Sequence, residues 1–576
     1  MSATAHPAHR RAWQPLPVTA IGGPIGHRIE ATWRNNLLAL DWERDFLAPF
    51  CTKEHGAGHY VGLGKTLEGV VRLSAYTRDD RLGACRRHAI KTLFAAQGPD
   101  GYLGTYRPAD RTVRLWDVHE EAYLLLALVT DWACFHDERS LAAATRLGAY
   151  LLRQLPAETV AQVGRREKGF EVCSFLAVLG LDRAFLALHR ATGDDAYLNF
   201  CVETLKLPEW DQPIVEGRSW PIEGHMYAYL TRCLAQLDLF DLTGDNRLLA
   251  QTRRALDYLR GRRALVISGT NSIEECWHSD QTATGAIGET CATAYLIRVL
   301  SRMLQIEGGG WYGDWIERAI YNALFAAQSP DGRRLRYYVP LEGPRKYFDR
   351  DTYCCPGNFR RIIAELPDLI AYRQADGLAV NLYAPCEIST ELADGTPLTL
   401  RQDTDYPSSG LVRLEVRPAR PAHFTLRLRQ PGWCAAFTVS VNGRATVPKG
   451  GPHFLELARD WQPGDCVELD LPMPWRLVRG FRKQAGKVAV MRGPQVFAFA
   501  PPAGGEPAAL TLLPDTLQPP EPDAASRPDG LAGRARAADG EVELRLTEFP
   551  DPDAIATYFR VPDNSGAAED ELWARE

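Results

Sequence analysis

Thr192-Gly193-Asp194-Asp195 decides the fold of the first half of this chain, because it recurs. Thr77-Arg78-Asp79-Asp80, His136-Asp137-Glu138-Arg139 and Thr243-Gly244-Asp245-Asn246 are its counterparts, about 50 to 60 residues apart. In each, glycine or aspartate serves a tight turn, and an aspartate caps the helix that follows. Between the turns, apolar residues return at spacings of three and four, as in Leu67-Val70-Val71-Ser74 and Tyr123-Leu126-Ala127-Thr130. That is the spacing of amphipathic helices. A fixed period of helical hairpins indicates a repeat architecture, and around six such hairpins predict an (α/α)6 toroid. A second echo sets Leu93-Phe-Ala-Ala-Gln-Gly-Pro-Asp-Gly101 against Leu324-Phe-Ala-Ala-Gln-Ser-Pro-Asp-Gly332.

After Asp376-Gly377 the period changes from three and four to two. Leu378–Tyr383, Phe424–Arg429, Phe437–Val441 and Cys466–Leu471 alternate apolar and polar residues, with Asn442-Gly443 and Pro463-Gly464-Asp465 as turns. These read as strands of a β-sandwich. Residues 501–540 are rich in Pro, Ala, Gly and Asp and read as a linker or surface excursion, beyond which Val542–Thr547 and Ala556–Arg560 predict late strands. The expected division is an N-terminal extension (1–20), a helical catalytic domain (21–375), a β-sandwich (376–500) and a last segment (501–576) that adds to the first sandwich or forms a second.

Acids and bases are interleaved over 576 residues with a formal charge of −6. Without a basic stripe, neither nucleic acid nor an anionic membrane is an expected partner; a small or neutral molecule is, with a second copy of the chain as a candidate. The first residues carry no apolar run of a secretory signal, and no stretch reaches the roughly 18 apolar residues of a membrane span, so a soluble, cytoplasmic protein is expected. Thirteen cysteines without scaffold spacing then read as thiols. Cys85, Cys134, Cys173, Cys201 and Cys233 fall on apolar helical faces, where cysteine acts as a small hydrophobe.

Only the cysteines between residues 276 and 355 stand apart. Cys354-Cys355, in Tyr-Cys-Cys-Pro-Gly-Asn, lies 63 residues beyond Glu289-Thr290-Cys291. Three sulfurs and a carboxylate form a zinc set, and a metal-bound thiolate is also a nucleophile. The alternatives are scattered core thiols, or a strained disulfide between the neighbours Cys354 and Cys355. Upstream, Ser268–Asp280 is too rich in Gly, Ser and Thr for a helix; it predicts a loop over the toroid's mouth, carrying Glu274 and Glu275.

Trp116 with Val118–Leu128, Glu223-Gly-His-Met-Tyr227, Glu275-Cys-Trp277, Glu289-Thr-Cys291 and Cys354-Cys-Pro-Gly-Asn358 with Arg360 resemble glycoside hydrolase family 127, the β-L-arabinofuranosidase family. The likeness runs over roughly residues 20–500, and Asn381–Pro385 and Val488–Pro494 fit its sandwich part. It implies a retaining, exo-acting glycosidase with Zn2+ held by Glu289, Cys291, Cys354 and Cys355. Cys354 would be the nucleophile and Glu275 the general acid/base, with Glu274 its rival and Trp277 an aromatic wall that raises the acid's pKa and lines the substrate. His225 would bind a sugar hydroxyl, the alternative being a capping or packed histidine. Trp116, Asp117, His119 and Tyr123 would form the other face of the sugar site. Tyr123 stands where the family tends to carry a histidine, which puts the identity of the sugar in doubt. Tyr102, Tyr227, Tyr337, Tyr338 and Tyr353 are further candidates for stacking on a sugar ring or for the core. Two other readings are an (α/α)6 sugar epimerase or uronyl hydrolase, and a non-catalytic carbohydrate-binding protein pinned by zinc.

Overall fold

The computed structural model describes residues 13–56, 58–163, 178–217, 224–449, 453–500, 511–518, 531–537, 540–561 and 566–573. Six inner helices form the toroid: α1 (Leu63–Thr77), α2 (Leu115–Phe135), α3 (Leu181–Thr192), α4 (Met226–Thr243), α5 (Thr290–Glu307) and α6 (Cys354–Glu365). Each packs on the next and α6 packs on α1, which closes the ring. α4 and α5 are buried all round, whereas outer helices such as Asp80–Ala96 and Glu138–Gln154 bury one stripe.

The four turns identified in the sequence join inner to outer helices. The inner helix ends on a left-handed residue, Arg78, His136, Gly193 or Gly244, with φ of 55°, 54°, 73° and 69°. Asp79, Asp137, Asp194 or Asp245 then accepts from a backbone N–H two residues on, capping the next segment. A fifth junction uses Gly308 at φ 76° after α5. The Leu93 and Leu324 echoes end alike, on Gly101 and Gly332, both at positive φ.

Two sheets follow. One orders Gln14–Pro15, Ala371–Gln374, Gly377–Val380, Ala422–Arg429 and Phe454–Trp461; the other has seven strands, from Arg444–Ala445 at one edge to Val18–Thr19 at the other. Residues 13–19 thus join the sheets that follow the toroid. In Leu411–Pro418, Val412, Leu414 and Val416 point inward while Leu411, Arg413 and Arg417 face water, the period-two pattern of a half-buried strand. A third sheet takes Trp475–Arg479, Lys487–Arg492 and Gln495–Phe499 from before residue 500, and Thr511–Gln518, Leu531–Ala537, Gly540–Glu548 and Tyr558–Arg560 from after it. It has its own core around Val488, Val490, Phe497, Leu544 and Phe559. Of the cysteines expected on apolar faces, Cys201 and Cys233 are buried, Cys85 is half-buried, Cys134 is exposed at a helix end, and Cys173 lies outside the described residues.

Candidate active site

Two helix N-termini meet in the ring. Glu289 is the N-cap residue of α5 with Cys291 in its first turn, and Cys354-Cys355 open α6. The Cys291 and Cys355 sulfurs are 3.1 Å apart, the Cys355 thiol donates to Glu289 Oε1 at 3.6 Å, and Asn358 Nδ2 donates to Cys291 Sγ at 3.2 Å. One ligand atom from each of Glu289, Cys291, Cys354 and Cys355 lies within 4.8 Å of the others, all buried. The positive ends of two helix dipoles favour negative charge here.

That charge settles on one sulfur. Burial would raise the Cys354 thiol, but contacts with Cys291 and Cys355, the Lys65 ammonium and the Tyr337 hydroxyl outweigh it and hold Cys354 well below the usual thiol range. Burial drives Cys291, Cys355 and Glu289 upward, helped by the neighbouring negative charges. Cys354 is also the only one of the four that reaches the surface, at 7 % exposure against 0 % for the others. Glu289 Oε2 is buried with no hydrogen-bond partner, a costly state for a carboxylate unless a cation meets it. Three thiols and a carboxylate within ligand reach, one oxygen still unmet, can hold a metal ion, and soft sulfur donors suit zinc.

The loop before α5 brings Glu275 up to the cluster. Residues 268–288 form no helix, and Ser272, Glu274 and Glu275 take positive φ of 118°, 48° and 73°. Such strain persists only where the surroundings enforce it. Backbone bonds do so here: Glu274 N to Ala286 O at 2.8 Å, Met226 N to Glu275 O at 2.9 Å and Trp277 N to Gly224 O at 2.9 Å. Ser272 Oγ accepts from Glu289 N at 2.9 Å, tying loop to cluster. Tyr337, whose carbonyl accepts from Thr290 N, donates to Glu275 Oε1 at 2.7 Å and lies 3.5 Å from Cys354 Sγ. Glu274 is exposed.

The expected sugar-binding residues separate into wall, floor and core. Trp116 packs on Tyr60, His119 and Tyr353 with ring centroids 5.1, 5.3 and 6.2 Å apart, a wall beside Cys354. His119 Nε2 meets Lys65 Nζ at 3.0 Å. His225 precedes α4, with a ligand atom within 4.8 Å of those of Glu275 and Glu289. Tyr123 is floor: its hydroxyl bridges Tyr227 at 2.7 Å and Tyr295 at 2.8 Å. Trp277 corrects the sequence reading. It is buried edge-on between Tyr229 and Tyr258, and Tyr337 is the aromatic residue that meets Glu275. Asp117 is likewise structural, fully buried and bonded to the Tyr102 hydroxyl and Thr112 N. Glu223 lies outside the described residues.

Lys65 and a polar chain beneath the cluster were not singled out in the sequence. A Cβ on Gly64 would lie 2.3 Å from the Tyr123 carbonyl carbon, so only glycine lets α1 approach α2 closely enough to set Lys65 under His119. From Cys291, Asn358 leads to Arg361, whose fork closes on buried Glu68 of α1 and whose Nη1 also donates to Tyr295. The available signal was a lysine and a glutamate inside an otherwise apolar helix, Leu63-Gly-Lys-Thr-Leu-Glu-Gly-Val-Val71.

The sequence profile of the β-L-arabinofuranosidase, glycoside hydrolase family 127 catalytic domain matches residues 33–368, more than half of the chain, and that of the family's middle domain matches residues 377–473. The chain belongs to glycoside hydrolase family 127. It is therefore a glycosidase. Among curated proteins, it is 26% identical over 494 residues to a non-reducing end β-L-arabinofuranosidase of Bifidobacterium longum, an alignment covering 75% of this chain and 74% of that one. A family 127 β-L-arabinofuranosidase from Geobacillus stearothermophilus T6 has the same fold, with a TM-score of 0.79 at 24% identity over 94% of this chain and 100% of that one. Another family 127 β-arabinofuranosidase matches with a TM-score of 0.79 at 22% identity, covering 97% and 99%. The family 127 toroid thus carries its two helix N-termini, the acidic loop and Tyr337 at one site.

Proposed function

We propose that this glycosidase releases β-L-arabinofuranosyl residues, or a sugar of similar shape, from the non-reducing end of a small oligosaccharide or glycoside, with retention of configuration. The Tyr337 hydroxyl carries this reading, since it touches both Glu275 Oε1 at 2.7 Å and Cys354 Sγ at 3.5 Å. Two such contacts meeting at one oxygen cannot hold the groups as far apart as the roughly 6.5–9.5 Å that an inverting pair needs to admit water. Zinc, held by Glu289, Cys291, Cys354 and Cys355, would keep the sulfurs deprotonated.

In the first displacement Glu275 gives its proton to the leaving oxygen as the Cys354 sulfur attacks the anomeric carbon, so a C–O bond breaks and a C–S bond forms. In the second, Glu275 takes a proton from water, whose oxygen displaces the sulfur and restores both groups. Tyr337 orients the Glu275 carboxyl by donating to its Oε1. Trp116, His119 and His225 would bind the ring and its hydroxyls, with Tyr123 fixing the floor beneath them. Glu274 is less suited to the acid role because it is exposed. The described cysteines are all free, which suits a reducing compartment, and we assign the enzyme to the cytoplasm; recovery from a periplasmic or secreted fraction would contradict that. No described helix is long and apolar enough to cross a membrane.

The test measures bound metal and hydrolysis of an aryl β-L-arabinofuranoside. The wild type should hold one zinc, release sugar with retained configuration by NMR, and lose activity on chelation. Cys354→Ser and Glu275→Gln should each lower kcat by about a thousandfold or more. Full activity in Cys354→Ser, or an active wild type without metal, would overturn the mechanism.

A further inference from the structure

Glu289 faces two groups of ligands. Its Oε1 meets the Cys355 thiol, while Oε2, also fully buried, has no hydrogen-bond partner. His225, Glu275 and Glu289 each offer a ligand atom within 4.8 Å of the other two. One imidazole and two carboxylates are a common donor set for a divalent cation with an open coordination position. We propose that His225, Glu275 and Glu289 form a second, weaker zinc site, bridged to the first by the Glu289 carboxylate, and that filling it inhibits the enzyme.

The inference rests on the zinc–cysteine reading of the first site. There, three thiolates and a carboxylate outweigh the charge of one dication, so a second cation nearby is attracted rather than repelled. A carboxylate that bridges two ions is ordinary in two-metal centres. The second site is built from the backbone around it. His225 and Cys276 pair across an isolated β-bridge, Met226 N donates to Glu275 O at 2.9 Å, and Ser272 Oγ fixes Glu289 N at 2.9 Å. Three donors from three separate segments are therefore set before any ion arrives, which lowers the cost of binding. An ion on Glu275 ties up the carboxylate that must carry the catalytic proton, and an ion on His225 stands where the sugar would be bound. Inhibition is therefore competitive with substrate, and raising zinc takes the enzyme through an activity maximum.

Equilibrium dialysis of the full-length enzyme against rising zinc should show one ion retained after gel filtration and a second that is lost by it. Occupancy of the second should coincide with a fall in hydrolysis of at least about tenfold that excess substrate reverses. His225→Ala and Glu275→Gln should abolish the second ion and keep the first, read as metal per chain whatever their activity. Cobalt(II) gives an independent readout: sulfur-to-metal charge-transfer absorption saturates at one equivalent, and a second equivalent adds only weak bands without sulfur character. One ion per chain at saturating zinc, or a second ion unaffected by His225→Ala, would overturn the proposal. Failure to bind even the first ion would instead overturn the mechanism above.

Discussion

Tyr337 shows how much rests on one hydroxyl. It is the group that touches both the proposed acid/base and the proposed nucleophile, and its backbone is tied to the first turn of α5. Tyr337→Phe keeps the ring and removes both contacts, so kcat should fall about a hundredfold with zinc content unchanged. A loss of metal in that variant would mean that Tyr337 serves the cluster rather than the reaction. Cys354 and Cys355 are adjacent in sequence, yet only Cys354 reaches the open face. Nothing in Tyr-Cys-Cys-Pro announces that difference, because it is set by which side of α6 faces the hole of the ring.

The helices are stabilised by the same turn used repeatedly. In the α2 exit, exposed His136 takes φ 54° and Asp137 caps the next helix through Arg139 N. A side chain in left-handed conformation costs about 1 kcal/mol that glycine does not. His136→Gly should therefore stabilise the fold by roughly 0.5–1 kcal/mol, whereas Asp137→Ala should cost about 1 kcal/mol; denaturant titration reads both. The seam between α1 and α6 contributes more. Burial alone would push Glu68 upward, but Arg361, Arg72 and Arg298 outweigh it and bring the carboxyl down from 4.5 to about 2. A depressed folded-state pKa gives stability that is complete above the unfolded value and disappears as pH falls through the folded one. Between pH 4.5 and 2 the wild type should lose on the order of 3 kcal/mol from this pair, and Glu68→Gln should flatten that stretch of the stability profile.

At the scale of the whole molecule, the last sheet holds the acidic loop in place. Arg482 Nη1 donates to Ser279 O at 2.6 Å, Lys483 Nζ to Thr282 Oγ1 at 2.7 Å, and Gln484 Nε2 to Gln281 O at 2.9 Å. These bonds reach the segment just after Glu275 and none of the four residues of the buried cluster. Arg482→Ala combined with Lys483→Ala should lower kcat about tenfold, since small misplacement of a catalytic group is expensive, and leave zinc content as it was. Equal loss of metal and activity would show that the sheet supports the entire site. Elsewhere the sandwich is locked to the toroid by buried Arg429, which pairs with Asp314 and Glu317 of an outer helix and donates to Asn381 O at 2.5 Å.

Sequence alone determined the helical repeat and the switch to period-two strands after Asp376, and it named the set Glu289, Cys291, Cys354 and Cys355 that the structure brings into one buried cluster. The first two depend on local turn chemistry and side-chain periodicity, and the set on residue types that have few other uses together. Only the tertiary structure decided that Trp277 belongs to the core, that the Tyr123 hydroxyl bridges Tyr227 and Tyr295, and that Tyr337 joins Glu275 to the Cys354 sulfur. It also placed strands from both sides of residue 500 in one sheet. Those outcomes depend on which faces meet when six helices close a ring, and on pairings between segments far apart in the chain. Closure brings Gly64 against Tyr123 and sets the first turn of α5 beside that of α6. Local periodicity carries no record of such encounters.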